Sequence, residues 1–364
     1  STLTIIGQDE CDIRPFSEAN ISPEAGQLIY SDNETQQIIG LADNSFKYQK
    51  PRYTHLFPAR IFENGTRLLW VTDEANMEDE WASLELHSYQ TEADNYQSIA
   101  LIGNSDWGPH QLHWIGSNSV LLVYSNKGLL PPNTTVYPFS IINLQTLEIT
   151  YVYPYFADFA RYMEELGYPT DEILGEFLYP HWFNFSPDGQ YLLISDLLVD
   201  ASTFAKIELD NLSGSIWSYD SMKLLGVHWL ESTYEFTLYN IADDIVKTIA
   251  TIELPENSWL SYGYSGGEQG KWSPDERFLN VSIHKPDDTE TFAVIDLQSE
   301  VLYETCMLGY GKNWSLDSRY VALYGSLEPD STPSTIYLYD VMNDVFYEVA
   351  KGDTTIIGWL NLPS

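Results

Sequence analysis

Phe185-Ser-Pro-Asp-Gly-Gln-Tyr-Leu192 is the stretch that decides the fold, because it has the composition of a tight turn between two strands. Pro187 fixes φ at the first central position of a turn, the Asp188 side chain can accept backbone hydrogen bonds, and Gly189 allows a positive φ. An aromatic residue before the turn and a leucine after it are typical of a β-hairpin. The stretch therefore predicts two antiparallel strands joined by a tight turn.

The same pattern returns along the chain at regular distances. The close copies are WSPDERFL from Trp272 and WSLDSRYV from Trp314, the looser ones begin at Ile21, Phe62, Trp114 and Trp229, and IIGWL around Trp359 is the last. Most neighbouring copies are about 43 residues apart, which is the length of one four-stranded propeller blade.

Paired apolar runs separated by short polar turns follow the copies. They are PFSIINLQTLEITYV from Pro138, TFAVIDLQSEVLYET from Thr291 and TIYLYDVMNDVFYEV from Thr335. Each reads as a second hairpin, and two hairpins make a blade. The sequence therefore predicts an all-β fold in which residues 1–364 form one β-propeller domain of four-stranded antiparallel blades.

The spacing of the copies favours seven blades. In this arrangement IIGWL starts the last blade and the N-terminal strands complete it, which closes the ring and removes an open sheet edge. Eight blades is the alternative, with the copy at Ile21 counted independently. Residues 156–178 interrupt the period with apolar residues at helical spacing, which predicts a short helical insertion that packs on the propeller edge or acts as a lid.

The Trp/Phe-Ser-Pro-Asp-Gly-x-x-Leu pattern at Phe185, Trp272 and Trp314 resembles the WD40-like PD40 repeats of TolB-type β-propellers. It is also similar to the propeller domains of prolyl-oligopeptidase and dipeptidyl-peptidase relatives. The resemblance covers nearly the whole chain and implies the propeller fold. It does not choose between binding scaffolds, lyases and protease accessory domains, all of which use such repeats.

The charge and hydrophobicity of the chain limit the classes of partner that it can bind. The formal net charge is −36, so the chain's own field would repel nucleic acid and anionic membranes. No apolar run approaches the roughly 18 residues of a transmembrane helix. The chain begins at Ser1 without a methionine, and its acidity is typical of a soluble secreted protein. We therefore expect a protein exported from a bacterial cell, with a periplasmic, cell-surface or extracellular location.

The two cysteines, Cys11 and Cys306, allow a single intramolecular bridge. The sequence does not show whether the two residues approach each other, so a disulfide stays open. Neither cysteine has the Cys-x-x-Cys spacing of a thiolate metal site.

Two common signatures of catalysis are absent from the sequence, since it contains no His-Glu-x-x-His motif and no phosphate-binding loop. The letters of a Gly-x-Ser-x-Gly pattern occur at residues 263–267, but there they belong to a glycine-rich approach to a predicted innermost strand rather than to a strand-to-helix elbow. Sialidase-type Ser-x-Asp-x-Gly-x-x-Trp repeats are missing as well. These absences favour a non-catalytic protein and leave enzymatic activity uncertain.

Two histidines fall in register when the copies at Trp114 and Phe185 are aligned. They are His110 and His181, each preceded by proline, and the matching positions in later copies are Glu268 and Tyr310. In a propeller these positions lie near the mouth of the central channel. Two imidazoles and a carboxylate there could bind a divalent metal or act in acid–base chemistry, as histidines around such a mouth do in some secreted lyases with PD40-like propellers. Alternatively, they are polar caps of the innermost strands.

Aromatic side chains cluster near the same predicted face. They are Trp107, Trp182, Trp259, Tyr262 and Tyr310. Such residues suit stacking on carbohydrate or peptide side chains, and they equally suit packing between blades. We therefore predict an exported, non-catalytic propeller that binds a protein, peptide or glycan at one face or at the channel mouth. The alternatives are a carbohydrate-active lyase or hydrolase that uses the histidines, and a structural subunit of an extracellular assembly.

Overall fold

The computed structural model describes most of the chain. The described residues are 3–7, 10–32, 37–40, 47–49, 59–62, 65–74, 83–91, 95–101, 109–115, 119–124, 139–146, 148–151, 184–194, 197–200, 206–209, 215–230, 233–261, 271–328, 335–352 and 354–361. The predicted insertion at 156–178 lies outside these ranges. Within the described part, no helix is long and apolar enough to cross a membrane.

The described residues form 29 strands, two short 3-10 helices (Phe16–Glu18 and Pro23–Ala25) and no α-helix. The first strands are β1 (Thr4–Gly7), β2 (Ile13–Pro15), β3 (Gln27–Asp32), β4 (Gln37–Gly40), β5 (Lys47–Gln49), β6 (Ala59–Phe62), β7 (Arg67–Glu74), β8 (Ser83–Gln90), β9 (Asn95–Leu101), β10 (Pro109–Ile115), β11 (Ser119–Tyr124), β12 (Phe139–Asn143), β13 (Glu148–Tyr151), β14 (Asn184–Phe185) and β15 (Tyr191–Ile194). The remaining ones are β16 (Leu197–Asp200), β17 (Lys206–Glu208), β18 (Ile216–Trp217), β19 (Lys223–Leu230), β20 (Thr233–Asn240), β21 (Ile245–Glu253), β22 (Trp259–Ser261), β23 (Phe278–His284), β24 (Glu290–Asp296), β25 (Val301–Trp314), β26 (Tyr320–Ser326), β27 (Thr335–Asp340), β28 (Val345–Lys351) and β29 (Thr354–Leu360).

The sheets have the topology of propeller blades. Strands β6–β9, β10–β13, β14–β17 and β18–β21 form four separate antiparallel sheets in which chain neighbours are sheet neighbours. In a fifth sheet the last strand, β29, pairs with β3, which is followed by β4 and β5. These four-stranded up-and-down units make the protein an all-β propeller, as predicted from the sequence.

The sixth sheet is larger because one long strand belongs to two units. Strand β25 pairs with β24 through Val301–Glu304 and with β26 through Leu308–Trp314, so it is the outer strand of β22–β25 and the inner strand of β25–β28. The passage between the two units requires a glycine. Gly309 has φ +137°, and a Cβ there would lie 2.0 Å from the Tyr324 carbonyl oxygen.

The hydrophobic core lies between neighbouring blades. One cluster joins Leu225 and Phe236 of the β18–β21 sheet to Leu279 and Ile283 of β23, all at most 3% exposed. Buried and partly buried residues largely alternate along β20, as in a strand whose two faces differ in their surroundings. Burial of these side chains, at about 25 cal/mol per Å² of apolar surface, is the main force that holds each blade against the next.

The repeated turn is held by one set of hydrogen bonds. In four copies the serine hydroxyl donates to the carboxylate two residues later and accepts from the backbone N–H five residues later. The pairs are Ser186 with Asp188, Ser218 with Asp220, Ser273 with Asp275 and Ser315 with Asp317, at 2.5–2.6 Å. The residue after each aspartate has a positive φ of 61–70°. The architectural role predicted for Asp188 and Gly189 is therefore confirmed.

One copy of this turn differs from the sequence assignment. Trp217-Ser-Tyr-Asp-Ser-Met-Lys-Leu224 forms the first turn of its blade, although it lacks both proline and glycine. Trp229, which the sequence pattern predicts as the start of that turn, instead lies at the end of β19 and pairs with Tyr234 across the β19–β20 hairpin. The sequence assignment of Trp229 was wrong because a tryptophan before a polar turn occurs at both ends of the blade.

We expect Ser273→Ala to lower the free energy of unfolding by about 1–3 kcal/mol, because the change leaves the Phe278 N–H and the Asp275 carboxylate without a buried partner. Urea unfolding followed by tryptophan fluorescence measures this. The exposed Ser17→Ala is the control and should leave the transition unchanged. Equal stability of the two variants would contradict this role of the turn.

The N-terminal segment lies along the outer edges of the sixth sheet. Strand β1 pairs in parallel with β25, and β2 pairs in parallel with β28. Between them, Cys11 forms a disulfide with Cys306 of β25, with a Cα–Cα distance of 5.5 Å. The bridge that the sequence left open is therefore present, and it ties the described parts of the segment, residues 3–7 and 10–15, to two edge strands.

Two arginine–aspartate pairs join the first turn to the third strand of their blades. The Arg277 guanidinium donates to both carboxylate oxygens of Asp296 at 2.7–3.2 Å. Arg319 donates in the same way to Asp340. Each aspartate also accepts backbone N–H groups of the turn that follows it, so one carboxylate links both hairpins of the blade.

Candidate binding face

The β22–β25 unit carries an aromatic platform where its inner strand begins. Trp259 pairs with His284, and His284 pairs with Glu290, so the three side chains form a row across β22, β23 and β24. The indole and imidazole rings stack with centroids 4.7 Å apart and an interplanar angle of 7°. The His284 Nε2 atom lies 3.3 Å from Glu290 Oε1. This contact orients the imidazole, which in turn orients the indole.

The backbone beneath the platform is fixed as well. Leu260 is buried in the core between two blades, and its N–H donates to the Tyr234 hydroxyl at 3.1 Å. Trp259 is nevertheless 47% exposed. The indole of Trp259 therefore reaches solvent, although its strand is fixed by Leu260 and one face of the ring is covered by His284.

Other exposed apolar side chains lie at the same end of the sheets. We call the end that carries the β19–β20, β23–β24 and β26–β27 connections the upper face. Trp229 and Leu230 are 69% and 56% exposed at the end of β19, and Leu327 is 54% exposed just after β26. Because Tyr234 pairs with Trp229 and contacts Leu260, Trp229 and Leu230 lie on the blade next to that of the platform. Leu327 lies on the unit that shares β25 with the platform's unit.

The carboxylates of the upper face greatly outnumber its cations. Exposed acidic residues at this end of the β18–β21 and β22–β25 units are Glu253, Glu256, Asp287 and Asp288, with Glu290 partly exposed. Among the described residues of these two units, the one ammonium group at this end belongs to Lys285, and it pairs with Glu304 at 2.5 Å. Thr289 donates from its hydroxyl and its N–H to Asp287, as expected for a turn residue, and these bonds lower the pKa of Asp287.

A second aromatic cluster lies on the β6–β9 sheet and is a packing feature. His87 stacks on Trp70 with ring centroids 5.2 Å apart, and its Nδ1 atom lies 2.6 Å from the Tyr96 hydroxyl oxygen. Desolvation lowers the pKa of His87 to about 4, which keeps the imidazole neutral at pH 7. This buried histidine contributes to the side-chain packing of its blade.

The residues predicted from the sequence to bind a ligand are only partly within the described structure. His110 lies in β10, and Tyr310 lies in β25. The Tyr310 ring is 5.4 Å from that of Tyr324, and the Lys312 ammonium lies 5.1 Å from the Tyr310 centroid. The other candidates, His181, Trp107, Trp182 and Glu268, lie outside the described residues. The channel-mouth site therefore stays a prediction.

The same limit applies to a metal site. Among the described residues, no three His, Cys, Asp or Glu side chains are close enough to hold a metal ion. His181 and Glu268, two of the three proposed ligands, are not among them. One of the three platform residues, Trp259, is among the aromatic side chains that the sequence predicts to lie near a binding face. His284 and Glu290 were missed, because only the strand register shows that they lie beside it.

No protein-family model and no curated protein match the chain, so membership of the PD40 repeat family stays a prediction. Among solved structures, it is similar to TolB from Acinetobacter baumannii, with 11% identity, 93% of this chain and 68% of that one covered, and a TM-score of 0.39. It is similar to an oligogalacturonate lyase in complex with manganese, with 14% identity, 90% and 84% covered, and a TM-score of 0.46. It is also similar to a periplasmic gluconolactonase from Pseudomonas aeruginosa, with 12% identity, 92% of this chain and 97% of that one covered, and a TM-score of 0.40.

Proposed function

We propose that the protein is an exported, non-catalytic propeller that binds a protein, peptide or glycan on its upper face. The observation that carries this proposal is the half-exposed indole of Trp259, which stacks on His284 and is fixed by the buried Leu260. A tryptophan that is both ordered and open to solvent can contact a ligand at little cost in conformational entropy. Tryptophan is also among the residues that contribute most to the affinity of interfaces.

The exposed apolar residues around the platform support an interaction surface. Trp229, Leu230 and Leu327 lie on the same face as Trp259. Contiguous exposed apolar surface rimmed by polar groups is typical of binding sites. The surrounding carboxylates favour solubility of the protein while this apolar surface is exposed and no ligand is bound.

The disulfide supports export. Cys11 and Cys306 are bridged across 295 residues of sequence. Structural disulfides persist mainly in oxidising environments such as the bacterial periplasm and the cell exterior. We therefore propose a location outside the cytoplasm.

We also propose seven blades in a closed ring. Five four-stranded sheets and the two units that share β25 support this number. The pairing of β29 with β3 supports closure, because it joins the two ends of the chain in one sheet. A closed ring of blades leaves only short, protected sheet edges.

The alternative function is a carbohydrate-active lyase or hydrolase with its site at the channel mouth. His110 and His181 would act in acid–base chemistry or hold a divalent metal with Glu268. The register of the two histidines in the sequence pattern favours this alternative. It differs from the binding proposal in requiring product formation and in not requiring Trp259.

The test is a panel of glycans and synthetic peptides, screened with the intact protein for both binding and product formation. We expect at least one panel member to bind without turnover, and we expect Trp259→Ala to weaken that binding at least about tenfold. Met342→Ala, on the opposite end of the sheets, is the matched exposed apolar control. Two results would overturn the proposal. One is turnover that is lost in His110→Ala or His181→Ala, and the other is binding whose affinity is unchanged in Trp259→Ala.

A further inference from the structure

We propose that the platform of Trp259, His284 and Glu290 binds an arginine or lysine side chain from a basic, extended segment of a partner protein. This inference rests on the proposed function of the upper face and names the chemistry of its ligand. The cation would lie over the open part of the indole and beside the Glu290 carboxylate, which is 29% exposed and accessible from solvent.

The charge of the upper face favours a cationic ligand. Besides Glu290 of the platform itself, four exposed carboxylates lie around it on two blades. Lys285, the one ammonium group at that end among the described residues of these two units, is already paired with Glu304. The chain as a whole carries a net charge of −36. A basic segment would therefore be attracted from a distance and would neutralise carboxylates on binding.

The propeller contains the same arrangement twice within its own fold. The Arg277 guanidinium lies 4.5 Å from the ring centroid of Phe278 while it pairs with Asp296. The Arg319 guanidinium lies 5.0 Å from the ring centroid of Tyr320 while it pairs with Asp340. In both cases one cation contacts an aromatic ring and a carboxylate at once. The upper-face platform supplies a better ring, tryptophan, and a carboxylate for a cation from outside.

A neutral ligand would fit this site less well. A glycan or an uncharged peptide that stacks on Trp259 would remove water from Glu290 and its acidic neighbours without supplying an opposite charge. Such desolvation is costly unless each carboxylate gains hydrogen bonds. A cationic side chain compensates this cost directly, because charge-assisted hydrogen bonds are about twice as strong as neutral ones.

The experiment uses the intact protein and three synthetic peptides of equal length. The first alternates arginine and serine, the second replaces each arginine by the isosteric, uncharged citrulline, and the third replaces it by glutamate. Fluorescence anisotropy at low and physiological salt measures the dissociation constants. We expect the arginine peptide to bind at least about tenfold more tightly than the citrulline peptide, and the glutamate peptide not to bind.

Charge-matched variants separate a specific site from general attraction. Glu290→Gln and Glu300→Gln remove the same charge from opposite ends of the β22–β25 unit. We expect Glu290→Gln and Trp259→Ala each to weaken the arginine peptide several-fold, whereas Glu300→Gln leaves its affinity nearly unchanged. Circular dichroism and melting curves confirm that the variants are folded.

Three results would overturn the inference. The first is equal affinity for the arginine and citrulline peptides, and the second is equal loss of affinity in Glu290→Gln and Glu300→Gln. The third is a neutral glycan or peptide that binds through Trp259 while the arginine peptide does not, which would leave the binding function intact and reject the cationic ligand. If Trp259→Ala binds every ligand as tightly as the native protein does, the proposed function itself is rejected.

Discussion

Replacing Asp296 by alanine is expected to lower the free energy of unfolding by about 3 kcal/mol. The Asp296 side chain is 3% exposed and accepts hydrogen bonds from Arg277 and from the backbone of Gln298 and Ser299. Its loss leaves those donors without their acceptor and the guanidinium without its counter-charge. Because Arg277 keeps some contact with solvent, the cost lies at the lower end of the range for broken buried ion pairs. Urea unfolding at pH 7 measures it.

The pair formed by Asp12 and Arg14 is the control for this prediction. It has the same chemistry, but both side chains are nearly half exposed, so Asp12→Ala should produce no measurable change. A loss of stability in Asp12→Ala similar to that in Asp296→Ala would show that burial does not determine the effect.

The Asp296 pair also predicts a loss of stability in acid. Desolvation acts to raise the pKa of Asp296, but hydrogen bonds from Arg277 and Ser299 outweigh it, and the pKa lies below its ordinary value of 3.8. The carboxylate therefore stabilises the fold fully above that ordinary value, and its contribution disappears as the pH falls through the lower pKa of the folded state. The stability difference between the native protein and Asp296→Ala should shrink at pH 3.

Removing the disulfide is expected to lower the free energy of unfolding by about 3–5 kcal/mol. Cys11 and Cys306 close a loop across 295 residues, and a bridge of that length greatly restricts the unfolded chain. The native protein treated with dithiothreitol and the variant Cys11→Ser/Cys306→Ser should both melt at a lower temperature. Calorimetry measures the shift.

The control for this second prediction is the effect of reductant on the variant. Dithiothreitol should lower the melting temperature of the native protein and leave that of Cys11→Ser/Cys306→Ser unchanged. Hydrogen exchange should quicken first at the amides of Thr4–Gly7, Ile13 and Arg14, which belong to the strands that pair with the sheet edge beside the bridge. A native protein whose melting temperature and exchange do not respond to reductant would contradict the prediction.

The repeated turn explains how much of the fold the sequence predicts. The copies at Phe185, Trp272 and Trp314 are visible because the serine and aspartate that bond to each other are only two residues apart. The copy at Trp217 has the same spacing of serine and aspartate, and it was missed because the pattern at Trp229 was assigned to that blade instead. The structure depends on the spacing of the serine and the aspartate, since Ser221 and Glu276 adopt the positive φ without glycine.

Contacts between distant parts of the chain were harder to predict. Strands β1 and β2 are short and make parallel ladders with β25 and β28, which no local pattern indicates. The same holds for the platform, because Trp259 is separated from His284 by more than twenty residues and meets it only through strand register. Local turn chemistry thus predicts the blades, whereas edges and surfaces depend on long-range pairing.

The N-terminal segment has a mechanical consequence. The Leu3 N–H donates to the Thr251 carbonyl of β21, and β1 and β2 then follow β25 and β28, so the segment spans three neighbouring units. A force that pulls on Leu3 along these parallel strands loads their hydrogen bonds together in shear. Beyond Cys11 the tension passes through the covalent bridge to Cys306 and spares β2. The segment therefore acts as a covalently anchored strap that would hold these three units together under load.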